Sequence, residues 1–252
     1  MNKLPQITLA FWVMKICATT LGETAGDLLS MTLNVGYAMS SLILISVFVL
    51  TLVTQLMSRT YKPLLYWIVI LSTSTAGTTM SDFMDRTLEL GYATGSMILI
   101  AILLAIFSAW RLSGDSLNVT KVQSFRGEMF YWMAILFSNT LGTALGDYLA
   151  DDSGLGFAGG ALLIGSAIAV VVLLKYFTKI STVALFWVAF VLTRPFGATL
   201  GDLMTKSHEK GGLDFGTIGS SVVLAGILLV MIVGASYAQK RFGKQGAAAE
   251  LT

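Results

Sequence analysis

The sequence predicts an all-α, polytopic membrane protein whose eight transmembrane helices form four parallel two-helix repeats. Three observations support this fold class. Of the 252 residues, 55% are hydrophobic and only 12% are charged, whereas a soluble domain carries about 25% charged residues. Apolar runs of about 20 residues, the length of a membrane-crossing helix, recur along the chain. The motif TLGETAGD at 20–27 also returns three times in related forms.

Four tryptophans mark the repeats, since each lies ten residues before a glycine that an aspartate follows five residues later. The period is 55, then 65, then 55 residues. We therefore predict one transmembrane domain over 1–252, with repeats at about 7–59, 62–113, 127–178 and 182–240 and a cytoplasmic tail at 241–252. The marker residues are Trp12, Trp67, Trp132 and Trp187; Gly22, Gly77, Gly142 and Gly197; and Asp27, Asp82, Asp147 and Asp202.

Each repeat is predicted to contain a first helix, which ends near the aspartate, and a second helix, which begins near a Gly-Tyr or Gly-Phe pair. The apolar run from Ile7 is interpreted as a retained helix and not as a signal peptide, because Lys15 interrupts it and no cleavage pattern follows. Strands are not expected, because lipid-exposed strands leave backbone groups unpaired unless they close a barrel. The second helices are predicted at about 36–57, 92–110, 157–175 and 216–237.

Basic residues predict the orientation, because lysine and arginine concentrate on the cytoplasmic side. Only Arg86, Lys206 and Lys210 are expected on the outer side, so both termini are predicted to be cytoplasmic in a bacterial inner membrane. Two spans per repeat then give parallel repeats related by pseudo-symmetry about the membrane normal. The basic residues expected on the inner side are Lys3, Arg59, Lys62, Arg111, Lys121, Arg126, Lys175, Lys179, Lys240, Arg241 and Lys244.

Two neighbouring stripes run along each first helix, because residues four apart share a helix face. The small stripe, Ala18–Gly22–Gly26 in the first repeat, is predicted to pack the first helices against one another around a shared axis. The polar stripe contains Thr19, Glu23 and Asp27 in that repeat. The four tryptophans are expected to lie in the aromatic belt at the cytoplasmic interface.

Ionisable residues within a membrane indicate a functional site, and we therefore predict an ion or substrate site along the polar stripes. Glycine and threonine before each aspartate suggest locally unwound helices that line a cavity. The alternative is that the aspartates only end the first helices or cap a following short helix. The candidate binding residues are Asp27, Asp82, Asp147, Asp202, Glu23, Thr78, Asn139, Thr143 and Arg194, with the four aspartates and Glu23 as candidate metal ligands.

Two basic residues lie within the first helices. Lys15 precedes Glu23 by two turns, and Arg194 precedes Asp202 by two turns, so each is predicted to be the counter-ion of the acid on its own helix. The alternative is that Arg194 binds an anionic substrate.

With four tryptophans in register, the chain resembles a bacterial family of membrane proteins built from four tandem repeats of unknown function. Each family repeat has two transmembrane regions and a characteristic tryptophan, and the likeness runs from Trp12 to about Tyr237. The resemblance implies the architecture and no particular chemistry. Repeats two and four depart from the pattern, which predicts that the repeats are not functionally equal; the departures are Ser81, Arg194, Pro195, Ala198 and Asp214.

The leading hypothesis is a transporter of a divalent metal, because carboxylate, hydroxyl and amide oxygens are ligands for hard cations. Manganese and export are our assignments for ion and direction. With one cysteine, Cys17, and one histidine, His208, a Cu(I) or Zn²⁺ site is not expected. The alternatives are a proton-coupled transporter of a small organic solute and a non-transporting membrane scaffold.

Enzymatic activity is not expected, because the sequence offers no nucleophile–base pair and no set of histidine metal ligands. The expected partners are the lipid bilayer and a small ion or solute, with no nucleic acid and no cofactor apart from a transported cation such as manganese. The sequence predicts no oligomeric state.

Overall fold

A computed structural model describes residues 4–122 and 124–249, and over these residues the chain forms eight long α-helices and no β-strand. Lys3, part of the orientation prediction, and residues 250–252 of the predicted tail lie outside the described residues. The helices are α1 (Leu9–Asp27), α2 (Tyr37–Met57), α3 (Pro63–Asp82), α4 (Tyr92–Leu112), α5 (Phe125–Asp147), α6 (Gly156–Phe177), α7 (Thr182–Thr205) and α8 (Thr217–Ala249).

A polar cap or a proline begins three of the four first helices, α1, α3 and α5. Thr8 Oγ1 accepts a hydrogen bond from Phe11 N at the start of α1, and Ser124 Oγ accepts one from Gly127 N at 2.8 Å at the start of α5. Such caps satisfy amide groups that have no partner within the helix. Pro63 occupies the first turn of α3, where the missing amide proton costs nothing.

A glycine with positive φ stands at the start of the second helix in each of the four repeats. Gly36, with φ 81°, precedes α2 and Gly91, with φ 72°, precedes α4. Positive φ is accessible to glycine without the steric cost that a Cβ brings, which explains the Gly-Tyr and Gly-Phe pairs. In all four repeats another residue of positive φ lies two positions earlier; these residues are Asn34, Glu89, Gly154 and Asp214, before Gly36, Gly91, Gly156 and Gly216.

The first helices run unbroken through the repeated motif of glycine, threonine and aspartate. Helices α1, α3 and α5 each end at their aspartate and continue into a five-residue π-helical turn, whereas α7 continues as α-helix to Thr205. The prediction of local unwinding before the aspartates is therefore wrong. Backbone hydrogen bonds remain within the helices, and the site must be built from side chains.

The four first helices contact one another in a closed ring in the order α1, α3, α5, α7 and back to α1. Each second helix packs against the first helix of the next repeat, so that α2 contacts α3, α4 contacts α5, α6 contacts α7 and α8 contacts α1. Residues distant in sequence therefore meet inside the ring. The first and fourth repeats are neighbours although they stand at opposite ends of the chain.

Glycines of the small stripe form the contacts of the ring, as the sequence predicts. The Cα of Gly22 lies against Ser74, Gly77 against Asn139, Gly142 against Arg194, and Gly197 against Thr19. Each of these contacts joins a glycine to the polar-stripe residue of the next first helix. Small residues permit this close approach of helix backbones.

Five helices, α2, α4, α6, α7 and the 217–237 part of α8, are long and apolar enough to cross a membrane. The second helices leave large apolar side chains exposed on their outer faces, among them Leu50, Leu104 and Leu162. In water this surface would be unfavourable, whereas in lipid it is not. The described chain thus has the surface of a membrane protein.

The tryptophans do not form an outward-facing belt, and that prediction is wrong for three of the four. Trp67, Trp132 and Trp187 are buried, and they pack edge-on or tilted against neighbouring rings. Tyr66 and Tyr131 join this cluster and share a 2.7 Å hydrogen bond between their hydroxyl groups. The aromatic residues therefore fill the end of the ring opposite the aspartates.

Candidate functional site

All nine candidate residues lie buried in or beside the helix ring. The four aspartates are between 2% and 3% exposed. Each is the last residue of the polar stripe on its own first helix, and the four first helices form a closed ring. The aspartates do not form a symmetric ring of four carboxylates. Two basic side chains divide them into two pairs, each of which spans two repeats.

Lys206 bridges the first pair. Its Nζ lies 2.6 Å from Asp27 Oδ2 and 2.9 Å from Asp202 Oδ1. Lys206 follows the last residue of α7, and 20% of its side chain remains exposed. Burial lowers the pKa of Lys206, but Asp202 and Asp27 raise it by more, so the pKa lies above the usual value of a lysine. The bridging group is therefore a charged ammonium.

Arg86 bridges the second pair. Its Nε lies 2.9 Å from Asp82 Oδ1, and its Nη2 lies 3.2 Å from Asp147 Oδ2. The guanidinium carbon also lies 6.0 Å and 5.7 Å from the ring centres of Tyr37 and Tyr92, within the range of cation–π attraction. Asp82 Oδ2 is buried and has no hydrogen-bond partner among the described residues.

The binding site predicted from the sequence includes neither Arg86 nor Lys206. Each stands four positions after the aspartate of its own repeat, and the other repeats carry Met31 and Asp151 at the same positions. The i, i+4 spacing is a signal for an ion pair on a helix face. The sequence prediction used Arg86 and Lys206 only as exceptions to the distribution of basic residues.

One turn deeper, Glu23 and Arg194 form a buried ion pair. Arg194 Nη2 lies 2.9 Å from Glu23 Oε2, and it donates hydrogen bonds of 2.6 Å to the hydroxyls of Thr78 and Thr143. Both hydroxyls donate in turn to Glu23 Oε2 at 3.2 Å. All four first helices contribute one of these residues. The predicted pairing of Arg194 with Asp202 is wrong, because its guanidinium pairs with Glu23 of the neighbouring helix α1.

Asn139 and Lys15 lie one layer further from the aspartates. Lys15 Nζ donates to Asn139 Oδ1 at 3.3 Å, and Asn139 Nδ2 donates to Thr73 Oγ1 at 2.9 Å. The Lys15 ammonium also lies 4.2 Å from the ring centre of Phe190. The predicted pairing of Lys15 with Glu23 is therefore wrong, since Lys15 Nζ lies against Asn139 and Phe190.

Three carboxylates lie close enough to hold one metal ion. Glu23, Asp147 and Asp202 each offer an oxygen atom, and these atoms lie within 4.8 Å of one another. They come from α1, α5 and α7, so the group exists only because the ring closes. Asp27 and Asp82, the other predicted ligands, stand outside this group and contact Lys206 and Arg86.

The comparison with protein families agrees with the repeat structure. A family model described as Repeat of Unknown Function (DUF347) matches four successive stretches, residues 10–61, 65–116, 130–181 and 185–242. Each stretch covers one pair of helices. No curated protein and no solved structure matches the chain. The chain therefore belongs to this family of tandem repeats of unknown function.

Proposed function

We propose that the protein is a membrane transporter of a cation and that its substrate is a hard divalent metal ion such as manganese. The observation that carries this proposal is the group of three buried carboxylates, Glu23, Asp147 and Asp202. Hard divalent ions bind oxygen ligands at about 2.0–2.6 Å, so two ligand atoms on opposite sides of an ion stand about 4–5 Å apart. The separation of the three carboxylate oxygens fits that requirement.

The hydroxyls of the deeper layer complete the proposed coordination shell. Thr78 and Thr143 already donate to Glu23, and their oxygen atoms are further hard ligands. Asp27 and Asp82 extend the acidic layer toward the outer end. Oxygen ligands of this kind suit Mg²⁺, Ca²⁺ or Mn²⁺ better than Cu(I).

The architecture that we propose for transport has eight membrane spans. Helices α1, α3 and α5 would cross the membrane inside a wall of second helices, which explains why their polar stripes are tolerated. The cyclic order of helix contacts supports four parallel repeats around the membrane normal. Arg86 and Lys206, present in alternate repeats, favour a pseudo-twofold over a pseudo-fourfold arrangement of the four repeats.

Orientation and location belong to the same proposal. The excess of basic residues expected at one end favours cytoplasmic termini, and a bacterial inner membrane is the proposed location. The aspartates then face outward and the tyrosine–tryptophan cluster faces the cytoplasm. We expect secondary transport or passive conduction, with export as the proposed direction, and no enzymatic activity.

A non-transporting scaffold is the second candidate, and one observation favours it. All four aspartates are buried and each contacts Arg86 or Lys206, so the acidic layer can serve to join the repeats. A proton-coupled transporter of an organic solute finds less support, because Arg194 is occupied by Glu23 and two hydroxyls.

Manganese flux into proteoliposomes tests the proposal. Vesicles that contain the wild-type protein should take up Mn²⁺ faster than protein-free vesicles, as read by a quenchable internal dye. The double variant Asp147→Asn, Asp202→Asn should lose at least about 90% of this flux, equivalent to more than about 1.4 kcal/mol of binding or barrier energy. Asparagine preserves the shape of each side chain and removes the charge that attracts the ion.

The matched control is Asp151→Asn, Asp152→Asn, which removes two acids from the exposed turn after α5. This variant should retain wild-type flux, because neither residue contacts the buried site. Wild-type vesicles that transport no more Mn²⁺ than protein-free vesicles would contradict the metal-transport proposal and favour the scaffold. Equal flux in both double variants would show that the carboxylate group is not the route.

A further inference from the structure

We infer that the Lys206 ammonium competes with the transported cation for Asp202 and is displaced from Asp27 and Asp202 when the cation binds, and that Arg86 keeps its ion pairs. The inference rests on the proposed function and concerns the same site. It assigns different roles to two side chains that stand at equivalent positions of repeats two and four.

Arg86 and Lys206 stand at equivalent positions of repeats two and four. Each follows its own aspartate by four residues and contacts a second aspartate from the next helix of the ring. Arg86 spans the gap between α3 and α5, and Lys206 spans the gap between α7 and α1. The two gaps lie on opposite sides of the ring. Each of these positions already accepts a positive charge between two carboxylates.

Arg86 is held by more than its two aspartates. Its two nitrogen atoms contact different carboxylates, and Tyr37 and Tyr92 flank its guanidinium. A planar guanidinium with several directed contacts loses all of them together if it moves. Arg86 therefore serves to fasten α3 to α5.

Lys206 is held through one atom. Its ammonium nitrogen donates a 2.6 Å hydrogen bond to Asp27 Oδ2, lies 2.9 Å from Asp202 Oδ1, and lies 4.0 Å from Met31 Sδ. Although Arg86, with 32% of its side chain exposed, is no less open to solvent than Lys206 with 20%, the Lys206 ammonium is a compact charge on a flexible stem. It can therefore withdraw outward without breaking a planar or stacked contact.

The position of Asp202 connects Lys206 with the metal site. Asp202 contacts Lys206 Nζ at 2.9 Å, and it is also one of the three carboxylates whose oxygen atoms lie within 4.8 Å of one another. A divalent ion bound to Glu23, Asp147 and Asp202 would repel the ammonium at this short range. Binding of the ion and retention of Lys206 between its aspartates are therefore in competition.

Amine labelling of the wild-type protein tests the displacement directly. Purified full-length protein in detergent is treated with a water-soluble amine-reactive ester, with and without MnCl₂, and modification of each lysine is measured by peptide mass spectrometry. Mn²⁺ should raise the labelling rate of Lys206 by about tenfold, the change expected for about 1.4 kcal/mol of lost attraction. Lys210, exposed on the same outer loop, should label at the same rate in both conditions.

Substitution of the lysine gives the second measurement. Lys206→Met introduces the residue that repeat one carries at the equivalent position, Met31, and it removes the competitor of the ion. The folded variant should bind Mn²⁺ at least about tenfold more tightly than the wild type, as measured by electron paramagnetic resonance of free Mn²⁺. Lys210→Met is the matched control and should leave the affinity unchanged.

The outcomes separate this inference from the proposed function. Unchanged Mn²⁺ affinity in folded Lys206→Met, or Lys206 labelling that does not respond to Mn²⁺, would overturn the displacement even if the vesicles transport manganese. Tighter binding in Lys206→Met without wild-type flux would support the displaced lysine and contradict transport. Should Lys206→Met not fold, wild-type labelling alone decides the matter.

Discussion

Replacing Arg194 with methionine should destabilise the protein by about 3–5 kcal/mol, the cost of leaving one partner of a buried ion pair without its counter-charge. Arg194 is fully buried, and its Nη2 joins Glu23 to Thr78 and Thr143 within 3 Å. Removal of the guanidinium would leave the carboxylate of Glu23 without its counter-charge and within 4.8 Å of the carboxylates of Asp147 and Asp202. The loss should appear as lower thermal stability of the purified protein in detergent.

Two further variants make this result specific. Arg111→Met removes an exposed arginine from the end of α4 and should leave the thermal stability close to that of the wild type. The double variant Glu23→Gln, Arg194→Met removes both charges and should regain most of the lost stability, because no uncompensated charge remains. Equal stability of Arg194→Met and Arg111→Met would refute a stabilising role of the buried pair.

The periodic features of this fold could be predicted from the sequence because they are local. Recurrence of the tryptophan, glycine and aspartate spacing is enough to define four helix pairs, and a stripe of small residues is enough to identify a helix-packing face. The glycine contacts of Gly22 and Gly77 follow from that stripe. The polar stripe lies beside that small stripe on each first helix, and all nine candidate residues, which lie along the polar stripes, are therefore buried in the region of the ring.

The partners of the charged residues could not be predicted, because they depend on which helices are neighbours. The spacing along α7 predicts that Arg194 pairs with Asp202. The closed ring of helices instead places Arg194 against Glu23, 171 residues away in sequence. Lys206 reaches Asp27 by the same closure, across 179 residues. The i, i+4 spacing along the chain indicates the contacts of Arg86 with Asp82 and of Lys206 with Asp202, but it contains no information on their second carboxylates, Asp147 and Asp27.

The tryptophans illustrate a second limit. An aromatic residue near the end of an apolar helix is compatible with a lipid-facing belt and equally with a buried cluster. Trp132 is fully buried beside Tyr66, because its helix faces other helices of the ring on that side. Only the order of helices around the ring separates the two outcomes.

Substitution of Gly77 by alanine should weaken the ring by about 1–3 kcal/mol, the usual cost of overpacking a close contact. The added methyl carbon would lie 2.9 Å from both the carbonyl carbon of Asn139 and the amide nitrogen of Thr140. These are backbone atoms of α5, which cannot rotate away as a side chain can. Relief therefore requires α3 and α5 to separate, and the separation would also pull Asp82 and Asp147 apart at Arg86.

The matched control for this change is Gly226→Ala in α8, where the added carbon would meet no atom of the residues that the structure describes within 4 Å. Both variants replace a helical glycine with a better helix former, so helix propensity alone predicts equal or higher stability for each. Thermal unfolding in detergent should instead separate them, with Gly77→Ala lower and Gly226→Ala at or above the wild type. A Gly77→Ala protein as stable as Gly226→Ala would mean that the first helices do not meet at their glycines. The carboxylates of α1, α5 and α7 would then lack the close helix contacts that bring their oxygen atoms together.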